Sequence, residues 1–335
     1  MHDRRVPFAA VTCAAVLLLA AAGPGRAQTS VPDWPQRTVR LVVPNPSGVG
    51  LDVIARLFAE RLADRWGRAV IVENIPGADG NIAAREFVQR RDDHTLLYSF
   101  SGLITINPLV YPKLPYDPDR DLVPIAPTSE NALAIAVSSG TEARSLADLA
   151  RLAQARPGAL TWAATPGVPY YAFTAFLKET GSRMEQVSYR DFKQAIVDLT
   201  ESRIDVVAAG VAPLLPLVSS GKLRLLAFIN GRRSAVAPDV PTVAQAGFPG
   251  LALAGTTGLF GWRDMPAPLR ERIAADVREV ATDPAIAARL GLIGSVVVTA
   301  TPSEFAAAIA EQRDRIAAIA ASPAPAPAPA PAPAR

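Results

Sequence analysis

The sequence predicts an α/β protein whose chain divides into two lobes, each a mostly parallel sheet flanked by helices. Three observations carry that expectation. Strand-like and helix-like segments alternate along most of the chain, the pattern of a doubly wound sheet. Half of the 335 residues are hydrophobic while only 19% are charged, enough for a sizeable core. Finally, once segments at the two ends are set aside, the remaining stretch from Val31 to about Ser322 exceeds what one core commonly organises. At one end, Arg4 and Arg5 precede an apolar run, Val6 to Ala22, and Gly25-Arg26-Ala27 has small residues at its first and third positions. Residues 1–27 therefore read as a secretory signal peptide. At the other end, residues 323–335 alternate proline and alanine before Arg335, a composition that favours extended polyproline II and buries nothing.

The elements follow in order. Thr38 to Val43 is a β-branched run stopped by Pro44, which suits a buried strand. Leu51, Ile54, Leu57, Phe58, Leu62 and Trp66 recur at helical spacing before Gly67 stops the helix, and Ala69 to Glu73 is strand again. Ala132 to Val137 reads as strand. Ser145 to Asp148 resembles a capping box opening a helix that Pro157-Gly158 ends. Strands at Leu160 to Ala164, Gln186 to Tyr189, Ile204 to Ala209 and Leu223 to Ile229 then alternate with helices at Tyr171 to Thr180, Gln194 to Ser202 and Pro213 to Ser219. Leu269, Ile273, Val277 and Val280 mark a later helix. Thr301-Pro302-Ser303-Glu304 caps a terminal one running to about Ala321. The chain is expected to build a first lobe over 31–130, a second over 131–243, and to return to the first over 244–322. The proline-rich segments Pro108 to Pro127 and Ala237 to Pro249 read as loops near the two crossings.

Charge and rare residues exclude several classes. Removing Arg4, Arg5, Arg26 and Asp3 from 34 basic and 31 acidic residues leaves 31 and 30, a net of +1. With no basic run or stripe, nucleic acid is not an expected partner. Cys13, the only cysteine, lies in the signal segment, so the mature chain has no disulfide, thiolate metal site or cysteine nucleophile. His94 is the only histidine left after cleavage, and it reads as a solvated turn residue in Arg91-Asp92-Asp93-His94. No metal, no cofactor and no catalysis are expected. No second apolar run of about 18 residues follows, so the mature protein is expected to be soluble and exported to the periplasm.

Two loops carry the chemistry. Pro44-Asn45-Pro46-Ser47-Gly48-Val49-Gly50-Leu51-Asp52 and Ala163-Ala164-Thr165-Pro166-Gly167-Val168-Pro169 each join a strand to a helix. Backbone N–H groups at a helix N-terminus, approached over glycine, bind anions without a charged side chain. In open α/β sheets such loops face a ligand crevice, although an isolated one is also an ordinary tight turn. A dinucleotide reading of Gly48-Val49-Gly50 fails because Val53 stands where the third glycine belongs. Asp52 suits a first-turn cap. Asp205, inside an apolar strand, is either a buried hydrogen-bonded anchor or a ligand contact. Tyr170 and Tyr171 either stack on a ligand or pack half-buried at a helix start. Tyr189-Arg190, ending a strand, either presents a guanidinium to a carboxylate or lies on the surface.

From Trp34 to Ile319 the sequence resembles the Bug/TctC-type solute-binding receptors of tripartite tricarboxylate transporters. Residues 34–44 (WPQRTVRLVVP) are similar to the family's opening and 70–82 (VIVENIPGADGNI) to its second block. Asn107-Pro108, 114–118 (LPYDP), 221–224 (GKLR) and 238–250 (PDVPTVAQAGFPG) follow in the family's order, the last being the most specific. The resemblance implies a two-lobed periplasmic-binding-protein fold, type II-like, that closes on a small organic carboxylate and presents it to membrane permease subunits, as a monomer. An alternative of another class is a ligand-sensing adaptor for a membrane receptor kinase. Ligand contacts implied by the resemblance fall on Asn45, Pro46, Ser47, Gly48, Val49, Gly50 and Asp52, on Ser101 and Asn107, on Thr165, Gly167 and Val168, and on Asp205. Tyr170, Tyr171 and Tyr189 complete the expected site.

The departures have direction. The family's first loop usually reads Pro-Gly-Gly-Gly-Thr-Asp, whereas here it is Ser47-Gly48-Val49-Gly50-Leu51-Asp52. The second loop is one residue shorter than usual, with Tyr171-Ala172 where a histidine would fall, and Phe100 replaces a serine. A less polar pocket follows, suited to an aromatic or less-charged monocarboxylate over citrate.

Overall fold

The computed structural model describes residues 34–48 and 50–321; the expected signal segment, the proline-alanine tract and Val49 lie outside them. β1 (Val39–Val43), α1 (Gly50–Trp66) and β2 (Val70–Asn74) form the first strand-helix-strand unit, each bound within a residue of expectation. α2 (Asn81–Arg90) and β3 (Thr95–Phe100) continue it. Three helical turns follow, α3 (Gly102–Thr105), α4 (Asn107–Val110) and α5 (Pro118–Asp121), and lead into β4 (Leu122–Asn131).

The second group is β5 (Leu133–Ser138), α6 (Leu146–Ala155), β6 (Thr161–Ala164), α7 (Val168–Thr180) and β7 (Glu185–Gln186), then α8 (Phe192–Thr200), β8 (Val206–Gly210), α9 (Leu215–Ser219) and β9 (Leu223–Phe228). Ser145 caps α6 as its sequence implied, its hydroxyl accepting from the Asp148 N–H at 3.1 Å. The chain finishes with β10 (Thr256–Trp262), α10 (Ala267–Val280), α11 (Pro284–Leu292), β11 (Ser295–Val297) and α12 (Pro302–Ala321).

These strands make two sheets, ordered β11-β4-β10-β3-β1-β2 and β7-β6-β8-β5-β9. The α/β class stands, but both sheets are mixed rather than mostly parallel. β1 pairs in parallel with β2 and β3, and β6 with β7 and β8, while β10, β11 and β5 run antiparallel to their neighbours. β4 leads out of the first sheet into β5 and β10 brings the chain back, so the pairings of β5 and β10 are not made through the helical crossover that a parallel neighbour requires.

Two expectations need correction. The segment Pro108 to Pro127 is not a loop: it holds helical turns and the first part of β4. Proline donates no hydrogen bond, and the register of β10 against β4 shifts beside both prolines, Phe260 opposite Pro124 and Gly258 opposite Pro127. The strand expected at Gln186 to Tyr189 shrinks to β7, an edge strand with one partner.

Alternation along the second sheet sorts its two faces. Leu133, Ile135 and Val137 join Trp162, Phe173 and Phe176 in one cluster, while Ala134 and Ala136 join Ala195, Leu199 and Phe228 in another. Under the first sheet, Val42, Leu97 and Phe260 pack with Phe87 and with Phe305 and Ile309 of α12. The chain crosses between sheets at Asn131–Ala132 and returns after Ile229. Phe248, Leu251 and Leu253, ahead of β10, pack with the second sheet's cluster. Asn230 clasps the crossings: its Oδ1 accepts from the Leu133 N–H at 2.7 Å and its Nδ2 donates to the Asn131 carbonyl at 2.9 Å. Among the described residues no helix is long and apolar enough to cross a membrane.

Candidate functional site

The carboxyl ends of β1, β3 and β4 in one sheet and of β6 and β8 in the other meet at a cavity of about 750 Å³. This is where open α/β sheets place ligands. Its walls are the loop after β1 (Pro44, Asn45, Pro46), the loop after β2 (Pro76 to Gly80), the turn after β3 (Phe100 to Leu103, with Ile106 and Asn107) and the loop after β6 (Thr165 to Pro169). Asn131, Leu133, Gly210, Gly255 and Thr256 form its back.

Helix N-termini converge on this space. α2 begins at Asn81 behind Gly80 and α7 begins at Val168 behind Gly167, and neither cap has a side chain that bonds to the first turn. The N-terminal ends of two helices, one from each sheet, thus border one cavity with a glycine at each mouth, and at α2 the Gly80 and Asn81 N–H groups already donate to the Gly77 and Ala78 carbonyls. Gly80 has φ +89, and a Cβ there would stand 3.0 Å from Leu103 Cδ2 and 3.1 Å from Pro44 Cβ. Only glycine lets the loop after β2 close against the loop after β1. None of the residues lining the cavity is lysine, arginine or histidine.

The first loop serves the site in a way its sequence did not show. Asp52 is fully buried, and its carboxylate accepts from the Gly48 N–H at 2.7 Å, from Arg56 Nε at 3.0 Å and from Asn74 Nδ2 at 2.9 Å. Burial pushes this carboxyl up, but those bonds outweigh it and hold it below the usual carboxylate range. Asn74 Nδ2 also donates to the Asn45 carbonyl at 2.8 Å, tying the end of β2 to the cavity wall. Arg56 reaches Ser47 Oγ at 3.4 Å as well. Asn45 and Pro46 therefore face the cavity, whereas Ser47, Gly48 and Asp52 form a brace behind it. Gly50 opens α1 and does not line the cavity; Val49 is outside the described residues.

Ser101, Asn107, Thr165, Gly167 and Val168 all line the cavity. The amide of Asn107 is committed as it does so, donating to the Asp79 carbonyl at 3.1 Å and to Asn81 Oδ1 at 2.7 Å. Tyr116 adds a bond to Asn81 Oδ1 at 3.1 Å, so the loop after β2 is pinned from two sides.

Four expected residues lie elsewhere. Tyr170 stacks on Trp162 at 5.8 Å between ring centres and Tyr171, 8% exposed, meets Tyr170 edge-on at 5.4 Å. Both rings belong to the core cluster of the second sheet rather than to the cavity, because α7 turns that face inward. Tyr189 donates to Asp198 Oδ2 at 2.8 Å on the outer side of that sheet, and burial together with that bond pushes its phenol up to about 12. Asp205 precedes β8, at the strand end opposite the cavity, and accepts from the N–H and hydroxyl of Thr161 at 2.8 and 3.0 Å. It is the anchor of the two roles its position allowed. His94 is also not solvated: it is 4% exposed, its Nε2 accepts from the Gln36 N–H at 3.0 Å and its Nδ1 faces Asp93.

The loop after β2 is a wall of the site that was not expected. Its signal was the glycine pair Gly77 and Gly80, which enclose two further positive-φ residues, Ala78 at +47° and Asp79 at +50°.

The fold and site define a substrate-binding receptor of the two-lobed kind. Residues 54–322 match the family model described as the tripartite tricarboxylate transporter family receptor, and the chain belongs to that family. It is 33% identical over 307 residues to a UPF0065 protein of Bordetella bronchiseptica, covering 90% of this chain and 88% of the relative. Among solved structures it is similar to Rpa4515 of R. palustris with adipate, with a TM-score of 0.73 and 27% identity over 86% of this chain and 98% of the other. It is likewise similar to MatC from Rhodopseudomonas palustris with bound malate, with a TM-score of 0.70 and 27% identity over 86% and 100% of the two chains.

Proposed function

We propose that this chain is a periplasmic receptor that traps one small organic carboxylate between its two sheets and delivers it to the membrane subunits of a tripartite transporter, without chemical conversion. The observation that carries this reading is the pair of glycine-capped helix N-termini, from α2 and α7, facing one cavity that has no cationic side chain. Backbone N–H groups take an anion in such a place, and their dipoles strengthen as closure excludes water. The adipate and malate in the two solved relatives are small acids of this kind. Phe100, Leu103, Ile106, Val110 and Leu133 give the rest of the wall an apolar character, which favours a ligand with one carboxylate and an apolar body over citrate.

The test is thermal unfolding of the protein against a panel of mono-, di- and tricarboxylates, repeated with Gly210→Phe. Gly210 ends β8 in the cavity wall, has no positive φ, and a Cβ there meets nothing within 4 Å. The larger side chain enters open cavity space without distorting the fold. Wild type should gain stability from at least one acid and Gly210→Phe should gain none while melting normally alone. Equal stabilisation of both proteins would place binding outside this cavity.

A further inference from the structure

A second cavity adjoins the first, with Ser101 and Thr256 in the walls of both. It holds about 370 Å³, a size that takes a small molecule. Leu253, Val298, Phe305 and Ile309 make its walls apolar, and α12 forms one side. Into this space the first sheet sends an acid. Glu130, half-buried near the end of β4, stands opposite Thr256 of β10 and Val296 of β11, and directly opposed residues share a face. Gly258, two residues beyond Thr256, is on that face too, where a Cβ would stand 2.9 Å from the Phe305 ring. Ser129 and Thr257 take the other face, their hydroxyl oxygens 2.6 Å apart. The Glu130 side chain is therefore on the side that α12 covers, in the wall of the second cavity.

Among the described residues no ion pair involves Glu130. Arg232, exposed, lines the same cavity, and its charge and Asn230 pull the Glu130 carboxyl down, yet burial outweighs both and holds it above the usual range. The other charged groups of the lining all belong to α12. Glu304 accepts from the Thr301 N–H and hydroxyl, and Arg315 donates to the Pro249 and Gly250 carbonyls, at 3.4 and 3.3 Å, with Glu311 beside it. Three glutamates against two arginines leave the lining net negative.

We propose that this cavity binds a primary amine with an apolar body, a site separate from the carboxylate cavity, with Glu130 as the counter-ion. The ammonium group supplies what burial takes from the carboxylate, a charge-assisted hydrogen bond in a space poor in water. The alkyl chain covers Phe305, Ile309 and Leu253.

The experiment is calorimetric titration with n-hexylamine and with 1-hexanol, which has the same chain and no charge. Wild type should bind the amine at least about tenfold more tightly than the alcohol, the scale of one bond to a charged group. Glu130→Gln keeps the shape and removes the charge, and should erase that gap. Ala308→Phe places a ring in the cavity from an exposed position of α12 and should abolish binding of both probes. Gly210→Phe, which fills the other cavity, should change neither affinity. Equal affinities for amine and alcohol, no binding of the amine, or a gap unchanged in Glu130→Gln overturns the assignment. So does amine binding that survives Ala308→Phe and disappears in Gly210→Phe, which would put the amine in the first cavity. Should Glu130→Gln fail to fold, Arg232→Gln gives a second test at an exposed position: removing the competing cation should leave amine binding unchanged or tighter, and a loss contradicts the assignment. None of these results bears on the response to carboxylates.

Discussion

Asp52 acts on the site without entering it. Its three hydrogen bonds fix the loop that carries Asn45 and Pro46, and they require the ionised form. Asp52→Asn keeps the shape but loses the charge, and should cost about 2 kcal/mol at neutral pH by denaturant unfolding. Because the folded carboxyl lies below its unfolded value, its contribution is complete above about pH 5 and disappears as pH falls through the folded value. The difference between wild type and Asp52→Asn should therefore shrink on acidification below pH 4, and a constant difference would show that the charge is not what holds the loop. Tyr170 and Tyr171 give the opposite kind of prediction. Tyr170→Phe and Tyr171→Phe leave the core rings in place, so ligand affinity should change by less than about twofold, a change worth under 0.5 kcal/mol. At this scale the sequence was a partial guide. Residue type and spacing identified Asp52 as a first-turn acid, but only the fold shows that it faces Gly48, Arg56 and Asn74 instead of ligand. The tyrosines were ambiguous because a helix start next to a binding loop has both an inward and a cavity-facing side.

Among the elements, the helix caps divide by task. α6, remote from the cavity, is closed by the Ser145 hydroxyl, whereas α2 and α7 begin with glycine at the cavity and have no capping side chain. Ser145→Ala should lower stability by about 1 kcal/mol and leave ligand affinity unchanged, measured by denaturant unfolding and titration on the same protein. An affinity loss would mean that α6 takes part in the site. Most elements were legible because apolar periodicity and caps are local signals, as with Ser145 and the box at Thr301 to Glu304, where Thr301 N–H and Glu304 are 2.8 Å apart. β4 was not legible. Pro124 and Pro127 signal a loop locally, and their acceptance in a strand depends on register shifts in β10, more than 120 residues away.

For the whole molecule, binding depends on two sheets joined so that their strand ends face each other. Asn230 holds the crossings with both ends of its amide, and Ser295 Oγ adds a bond to Asn131 Oδ1 at 2.9 Å. Asn230→Ala leaves the buried Leu133 N–H and the Asn131 carbonyl without this partner and should cost about 1–3 kcal/mol in unfolding free energy. A neutral result would show that the crossings are held by backbone pairing alone. The two-sheet architecture was legible from alternation and length, and from the resemblance to receptors of known kind. The loop after β2 was not legible as a cavity wall because its signal is backbone conformation, four consecutive positive φ angles and the approach of Gly80 to Pro44. Capture of a carboxylate in this cavity can be read out by thermal unfolding with a carboxylate panel. At about 100 times its dissociation constant a true ligand adds roughly 2.7 kcal/mol of stability. Wild type should show a saturable upward shift that is absent in Gly210→Phe; a flat response to every acid, from protein shown by mass spectrometry to carry no copurified ligand, would overturn carboxylate capture.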